Sequence, residues 1–454
     1  MTATRDLQPV EPALDAAGEP VEATPPTPPR TSRFAGQVSG TFRSLQHHNY
    51  RLYWTGALVS NVGTWMSRVA QDWLVLTVLT DHSSVALGVV TALQFLPMLL
   101  LAPYGGVLAD RYDKRKVLMV TQVSMAALSL LMGVLTASGS MHLYLMYLLA
   151  FVFGVITAAD NPARQAFVSE MVGSDDIPNA VGLNSASFNF ARLLGPGAAG
   201  LLIAGVGIAP AFFINTVTFV AVLIALTRMK AELLMPSDPT PKGRGQLRAG
   251  FAYVRTQPRI MLLLIVVFFF GTFAMNFVIT NALMATQVFH KGPSEYGLLG
   301  SVMAIGSVSA ALLTARRRVP SLRVLVVSLL GFGVSAVIGA MSVNFLMFTL
   351  MLIPMGLFAM STMTTANASV QLTADPAMRG RVMALYMAVF MGGTPIGSPL
   401  IGWVGEVYGA RATIMIGAIT SLVVGIGVVI VLMRRRKITP STLREYLRPT
   451  TIDA

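Results

Sequence analysis

Two oppositely charged side chains stand four residues apart inside a long apolar segment, in the stretch WMSRVAQDW at 65–73. At that spacing Arg68 and Asp72 lie on one face of a helix and can form an ion pair. Asn61 and Trp65 precede them at helical intervals, so the four side chains form one polar stripe. Charged groups inside a bilayer are costly, and they mark pathways for substrates, ions or protons.

Two interpretations of this stripe stay open. In the first, Arg68 and Asp72 are a permanent structural ion pair near the outer end of the helix. In the second, Asp72 takes up a proton outside and releases it inside, with Arg68 favouring the ionised carboxylate while the two are paired. We favour a functional site, although a paired carboxylate resists protonation.

A second pair, Asp160 and Arg164, repeats the four-residue spacing in a later apolar segment. Asp160 lies toward the end of that segment that faces a basic loop. Pairing with Arg111 or Arg115 of this loop is favoured over proton carriage, because structural ion pairs also place charges in such positions.

A single arginine, Arg192, lies near the middle of the next apolar segment. Its guanidinium could meet an anionic group of a substrate, or a carboxylate such as Asp72. The second half of the chain has no charged residue clearly at mid-membrane. Its polar candidates for a cavity wall, for which hydrogen bonding between helices is the alternative, are Asn276, Asn281, Asn367 and Gln371.

The composition predicts a membrane protein. Of the 454 residues, 54% are hydrophobic and 12% are charged, whereas soluble domains carry about 25% charged residues. The chain has no cysteine, which excludes disulfides, thiol catalysis and thiolate metal sites.

Twelve segments are long and apolar enough to span a bilayer as helices. They are 52–79, 84–109, 116–137, 142–165, 179–206, 209–228, 259–286, 295–315, 322–341, 345–370, 381–405 and 410–433. We therefore expect an all-α membrane protein with two pseudo-symmetric six-helix bundles. The predicted organisation is a disordered tail (1–45), a first bundle (46–228), a cytoplasmic linker with an amphipathic helix (229–258), a second bundle (259–434) and a second tail (435–454).

The basic residues predict the orientation. Eighteen Lys and Arg lie in or beside the loops that follow the even-numbered spans, against only Lys291 and Arg411 after the odd-numbered ones. By the positive-inside rule both termini face the cytoplasm, in the plasma or inner membrane. Most of the basic residues that give the net charge of +13 then lie on the cytoplasmic side, beside anionic lipid headgroups. A nucleic-acid partner is therefore not expected.

A weak internal repeat supports two similar halves. Asn161 and Gln165 in the first half correspond to Asn367 and Gln371 in the second, and a Gly/Pro cluster follows each pair. Parallel repeats of six helices are a known transporter architecture.

The loop GGVLADRYDKRKVL at 105–118 resembles the loop motif of the major facilitator superfamily. Gly106, Asp110, Arg111 and Arg115 match the motif, and Asp113 stands where a second glycine is usual. The resemblance implies the twelve-helix fold and a latch that closes the cytoplasmic side in the outward-facing state; Asp160 and Arg164 are expected beside it. The alternative is a basic loop without a latch.

The stretch LLGPGAAGLL at 193–202 resembles the superfamily's antiporter motif in the fifth span. Gly195, Pro196 and Gly200 match, and Ala199 replaces one glycine. Glycines allow close helix packing, and the proline can bend the helix. The resemblance implies exchange of substrate for protons.

Two longer stretches, 47–76 and 159–196, resemble the branch that contains the enterobactin exporter and related drug-efflux proteins. The arginine usual in the fourth span of many drug antiporters is missing here. The resemblance implies a proton-coupled exporter of drug-like or siderophore-like amphipathic molecules that works by alternating access. An importer or lysolipid transporter on the same fold, and a non-transporting receptor or scaffold, are the alternatives.

Several functions are disfavoured by missing patterns. The chain has no G-x-x-x-x-G-K-[ST] motif, no His/Glu metal cluster and no Ser/His/Asp arrangement. We therefore expect no enzyme, no cofactor and no metal. The expected partners are a small-molecule substrate, protons and the lipid bilayer, with the protein acting as a monomer.

Overall fold

The computed structural model of the protein describes residues 42–235, 246–315 and 320–436, and these residues form helices and connecting turns without a strand. Eleven helical segments are apolar and long enough to cross a bilayer. The first long helix is the twelfth, and its polar stripe lowers its mean hydropathy. The predicted twelve-helix membrane fold is confirmed.

The first bundle contains six helices joined by short turns. They are α1 (His48–Leu74, extended by a π-turn at Val75–Leu79), α2 (Ser84–Arg111), α3 (Lys114–Ala137), α4 (Leu143–Met171), α5 (Ile177–Val206) and α6 (Ala209–Thr227). Short 3-10 turns lie at Arg43–Gln46, Ser174–Asp176 and Ala231–Leu233.

A short helix, α7 (Gln246–Thr256), precedes the second bundle. The bundle consists of α8 (Pro258–Phe273) with α9 (Phe277–Leu283, extended by a π-turn at Met284–Val288), α10 (Pro293–Ala315), α11 (Leu322–Ala340), α12 (Phe345–Thr373), α13 (Arg379–Tyr408) and α14 (Ala410–Arg436). The predicted tail and linker limits remain predictions, and most tail residues lie outside the described ranges.

The two halves share a local device at the end of their first span. A π-turn ends the span in each half, and a histidine with positive φ follows, His82 at 57° and His290 at 50°. The same local structure at equivalent positions agrees with the predicted pseudo-symmetry of the two halves. π-turns inside helices are rare and occur often at functional sites.

The first span of the second bundle is interrupted, and the sequence does not predict this break. Helix α8 ends at Phe273 and α9 begins at Phe277. Between them Asn276 donates its side-chain amide to the Thr272 carbonyl at 2.6 Å and accepts from Ser398 at 3.2 Å. Side-chain hydrogen bonds of this kind compete with the backbone hydrogen bonds of a helix. Here they accompany a non-helical stretch of backbone, which a membrane protein tolerates where the stretch lines a cavity.

We call the membrane side on which α1 begins and α14 ends the terminal side, and the other side the opposite side. The bundles meet through α2 against α13 and α5 against α10. A Cβ on Gly88 would collide with the Ser398 carbonyl, and one on Gly297 with that of Pro196. Glycine therefore permits the backbone contact that joins the bundles.

The hydrogen bonds between the two bundles, among the described residues, all lie in the opposite half of the molecule. They join Gln287 to the His82 carbonyl, Glu406 to the start of α2, Tyr296 to Asp72, and the Gly197 amide to Ser301. The structure is thus closed on the opposite side.

Candidate functional site

A cavity of about 230 Å³ lies between the two bundles. The first bundle contributes α1, α2 and α5, and the second contributes the α8–α9 break, α10 and α13. The wall combines aromatic and aliphatic surface with a few polar groups, as ligand sites do. The lining residues used below are Trp65, Arg68, Asp72, Phe95, Arg192, Asn276, Phe277, Asn281, Tyr296 and Met303.

The Arg68 guanidinium lies over two aromatic rings, 5.3 Å from the centroid of Trp65 and 5.8 Å from that of Phe95. No Arg68 nitrogen comes within 4.0 Å of an Asp72 oxygen, and Arg68 Nε is buried without a hydrogen-bond partner. The ion pair that the four-residue spacing allows is therefore not formed in this state. Cation–π contacts take its place.

The Asp72 carboxylate is bound by the other bundle instead. Its side chain is buried, with 6% exposed, and its Oδ2 accepts a hydrogen bond from the Tyr296 hydroxyl at 3.0 Å. The Tyr296 ring also stacks on Trp73, with centroids 6.0 Å apart. Protonation of Asp72 would therefore change a hydrogen bond that joins α1 to α10.

Arg192 reaches the same aromatic ring from α5, with its guanidinium carbon 6.0 Å from the Trp65 centroid. It forms no ion pair with a carboxylate among the described residues. Asn61, the first residue of the predicted stripe, donates to Ser187 at 3.2 Å and ties α1 to α5. Trp65, rather than a carboxylate, is the shared partner of both arginines.

A small polar chamber lies behind Arg68 inside the first bundle. Its volume is about 10 Å³, and its walls include Gln71, Gln94 and Asn215. Gln94 donates to Gln71 at 2.9 Å. This is room for about one water molecule among polar groups.

The four polar candidates of the second half lie in two places. Asn276 and Asn281 line the cavity. Asn367 and Gln371 lie near the terminal-side end of α12, where Gln371 donates to Asn367 at 2.8 Å. The structure therefore places only the first two beside the charged stripe.

The Asp160 carboxylate pairs with Arg164 of its own helix, at 2.9 Å, rather than with the loop arginines. Thr121 and Gln122 donate to its other oxygen at 2.7 and 2.9 Å. Arg164 also donates to the Tyr53 hydroxyl. This network ties α4 to α1 and α3 and gives the buried Asp160 carboxylate a partner for each oxygen.

The basic loop has separate partners. Arg115 donates to the carbonyls of Leu226 and Thr227 at the end of α6, Lys114 pairs with Glu170, and Arg111 is exposed.

Gly106 and Asp110 fall in the last turns of α2, and the Asp110 side chain lies outside the described part. The neighbouring Gly105 packs so closely that a Cβ would overlap the Ala158 carbonyl.

The predicted antiporter-motif residues lie where α5 meets both neighbours. Gly195 abuts Trp65 of α1. Gly200 and Pro196 abut the beginning of α10, at Pro293 and Gly297. The motif thus lets one helix touch the aromatic wall of the cavity and the other bundle.

A further contact between the bundles was likewise not expected from the sequence. Glu406, near the end of α13, accepts at Oε2 from the Ser84 backbone amide at 2.9 Å and the Ser84 hydroxyl at 3.0 Å. The Val85 amide and the Ser83 hydroxyl lie at 3.4 and 3.3 Å. A carboxylate at a helix N-terminus satisfies free amides and complements the helix dipole. In sequence, Glu406 is only a lone acidic residue at the edge of a span.

This architecture, with two six-helix bundles around a charged cavity, agrees with the comparisons with known proteins. The model of the major facilitator family described as "Transmembrane secretion effector" matches residues 39–449. The chain belongs to this family. It is a multi-pass membrane transporter and not an enzyme.

Two relatives show which kind of family member this chain is similar to. The staphyloferrin A transporter of Staphylococcus aureus is 26% identical over 379 residues, which cover 82% of this chain and 93% of the relative. The enterobactin exporter EntS of Shigella flexneri is 25% identical over 365 residues, covering 78% and 85%. The predicted relation to siderophore exporters is confirmed.

Solved structures support the fold. The nucleoside transporter NupG aligns with a TM-score of 0.66 at 14% identity, covering 85% of this chain and 99% of that one. A bacterial homolog of the human lysosomal transporter Spinster, in an inward-facing and unoccupied conformation, aligns with a TM-score of 0.64 at 13% identity, covering 84% and 95%.

Proposed function

We propose that this transporter exports amphipathic small molecules, drug-like or siderophore-like, in exchange for protons, by alternating access. The observation that carries the proposal is the hydrogen bond from Tyr296 to the buried Asp72 carboxylate, made across the bundle interface at the wall of the central cavity. A titratable group there can link its own protonation to the relative position of the bundles. The relatives' names as siderophore exporters or transporters support the substrate class.

The orientation is part of the proposal. The start of α1, the end of α14 and the basic turn between α2 and α3 belong to the terminal side, which we take as cytoplasmic by the positive-inside rule. The structure is then inward-facing, since the bundles are joined on the opposite side.

In the proposed cycle, substrate binds from the cytoplasm between the arginines and the second bundle. Rearrangement of the bundles exposes the cavity outside, where substrate leaves and Asp72 takes a proton. Return to the inward-facing state delivers the proton to the cytoplasm. The Tyr296 contact favours this state while Asp72 is ionised, because hydrogen bonds to a carboxylate are stronger than those to a neutral acid.

The loop between α2 and α3 completes the proposal. In the outward-facing state Gly106, Asp110, Arg111 and Arg115 would form the cytoplasmic latch, with Asp160 and Arg164 holding α4 beside it. In the inward-facing state Arg115 binds the end of α6 within its own bundle, so this residue would have to exchange partners to join the latch.

The experiment uses inverted membrane vesicles that contain the transporter and a pH-sensitive dye. The vesicles are energised, a panel of amphipathic drugs and siderophores is added, and the wild type is compared with Asp72→Asn and with Glu232→Gln, an exposed terminal-side control. Compound-dependent proton release is expected in the wild type and the control, and its loss is expected in Asp72→Asn. Proton release that survives in Asp72→Asn would remove Asp72 from the coupling path.

The importer and receptor alternatives make different predictions. An importer moves labelled substrate toward the cytoplasmic face under the same gradient, so counterflow of labelled substrate separates the directions. A receptor or scaffold moves no compound at all, and its activity survives neutralisation of Asp72 and Asp110.

A further inference from the structure

The cavity wall carries more positive than negative charge. Its charged lining residues are Arg68, Arg192 and Asp72. The Asp72 carboxylate already accepts from Tyr296, and neither arginine pairs with a carboxylate among the residues that the structure describes. An uncompensated guanidinium inside a protein is costly, and an anion in the cavity would offset that cost.

Both guanidinium groups lie against the same indole ring, at 5.3 Å for Arg68 and 6.0 Å for Arg192. An aromatic face is a weaker partner for arginine than a carboxylate is, and it leaves the N–H donors of the guanidinium group without acceptors. Arg68 Nε is one such donor, buried and unpaired. The two arginines and Trp65 therefore form a basic, aromatic patch ready for an acidic ligand group.

The facing wall supplies the complementary polar group. Asn276 is engaged with Thr272 and Ser398, but the Asn281 side chain makes no hydrogen bond to another described residue, and its Oδ1 is buried. A buried acceptor without a donor costs free energy that a ligand hydroxyl or amide would recover. Phe95, Phe277 and Met303 add apolar surface to the same cavity wall.

We propose that the cavity selects amphipathic organic anions, a substrate class that rests on the transport function proposed above. A carboxylate, sulfonate or phosphate binds Arg68 and Arg192, an apolar or aromatic body lies along Trp65, and a hydrogen-bond donor reaches Asn281. Amphipathic cations are rejected, because they would face two guanidinium groups and a carboxylate that is already bonded.

The test uses three probes that share one fluorophore and differ in charge. They are dansylglycine (anionic), its methyl ester (neutral) and dansylethylenediamine (cationic). Binding to the purified full-length transporter is measured without a proton gradient, by energy transfer from tryptophan to the dansyl group. We expect saturable binding of dansylglycine, weaker binding of the ester and no saturable binding of the cation.

The arginines are tested by charge removal and charge retention. Arg192→Gln should weaken dansylglycine binding by about tenfold or more, because a charge-assisted hydrogen bond is lost, and should leave binding of the ester nearly unchanged. Arg192→Lys should recover part of the affinity, since it restores the charge without the planar fork. Arg51→Gln, at an exposed position outside the cavity, is the matched control.

Three results overturn the proposal: no saturable binding of dansylglycine by the folded wild type, equal binding of all three probes, or equal loss of anion and ester affinity in Arg192→Gln. Its failure is distinct from failure of proton-coupled export. Charge-selective binding with no proton release in vesicles contradicts only the export mechanism, whereas proton-coupled export of the cation contradicts only the anion selectivity.

Discussion

Glu406 holds the opposite side of the transporter closed, and its neutralisation should open that side. Its carboxylate caps the start of α2 from the other bundle, with the Ser84 amide and hydroxyl at 2.9 and 3.0 Å. The change Glu406→Gln keeps the shape and one acceptor oxygen but removes the negative charge. The state closed on the opposite side therefore loses a stabilising contact between the bundles, and opening of that side should become easier.

The size of the effect follows from the geometry. Two contacts are short, two are long, and the site is exposed to solvent, so a charge at this helix N-terminus is worth about 0.3–1 kcal/mol. The hydrogen bonds that a neutral amide oxygen accepts are also weaker, which costs the closed state a similar amount of free energy. A total loss of about 1 kcal/mol shifts the ratio of closed to open molecules by roughly fivefold.

Because the chain has no cysteine, spin labels can be attached to cysteines introduced at chosen positions. Spin labels at Ser140 and Val343, both exposed on the opposite side, report the distance between the bundles there. Labels at Ser174 and Ala377, exposed on the terminal side, report the other opening. Pulsed electron paramagnetic resonance should show Glu406→Gln with more of the long opposite-side distance and more of the short terminal-side distance.

Glu232→Gln removes an exposed acidic charge on the terminal side and should leave both distance distributions unchanged. The reasoning is refuted if Glu406→Gln behaves like this control, or if the opposite side opens while the terminal side stays open. The second result would show local fraying of α2 rather than a shift between two global states.

Three further predictions follow from the packing. Gly397→Ala pushes a Cβ into a backbone carbonyl of α8 and should cost about 1–3 kcal/mol, seen as a lower thermal midpoint in detergent, whereas Gly427→Ala, inside a helix with open space around it, should not lower the midpoint. Tyr296→Phe keeps the stacked ring but loses the hydrogen bond to Asp72, and the labelled opposite-side pair should show roughly tenfold more open molecules; an unchanged distribution would contradict the gating role. Asp160→Asn leaves the half-buried Arg164 without its counter-charge and weakens the hydrogen bonds to Asp160, and should destabilise the fold by about 1–3 kcal/mol while the folded fraction keeps its proton coupling; lost coupling at normal stability would make Asp160 a coupling residue.

Much of the architecture could be predicted because a bilayer permits few solutions. Apolar length and the positions of basic residues give the spans, and helical spacing places Trp65, Arg68 and Asp72 on one stripe. The small residues around Pro196 predict close packing, although not which helices they meet.

The partners across the interface could not be predicted. The spacing of Arg68 and Asp72 allows an ion pair, but the ring of Trp65 on the same helix and that of Phe95 on α2 compete for the arginine. Tyr296 from the other bundle binds the carboxylate. The partner of Glu406 lies more than three hundred residues away in the chain. Such contacts depend on how two bundles dock in one state, and local sequence carries no signal for them.

The most direct test of proton-coupled exchange is a measurement on purified transporter in sealed liposomes with a trapped pH dye and no imposed pH gradient. An outward gradient of a transported compound should acidify the lumen as protons enter in exchange. Asp72→Asn should abolish this proton flux while still exchanging labelled compound for unlabelled compound. Equal acidification by the wild type and Asp72→Asn, or compound efflux without any proton movement in the wild type, would contradict the account.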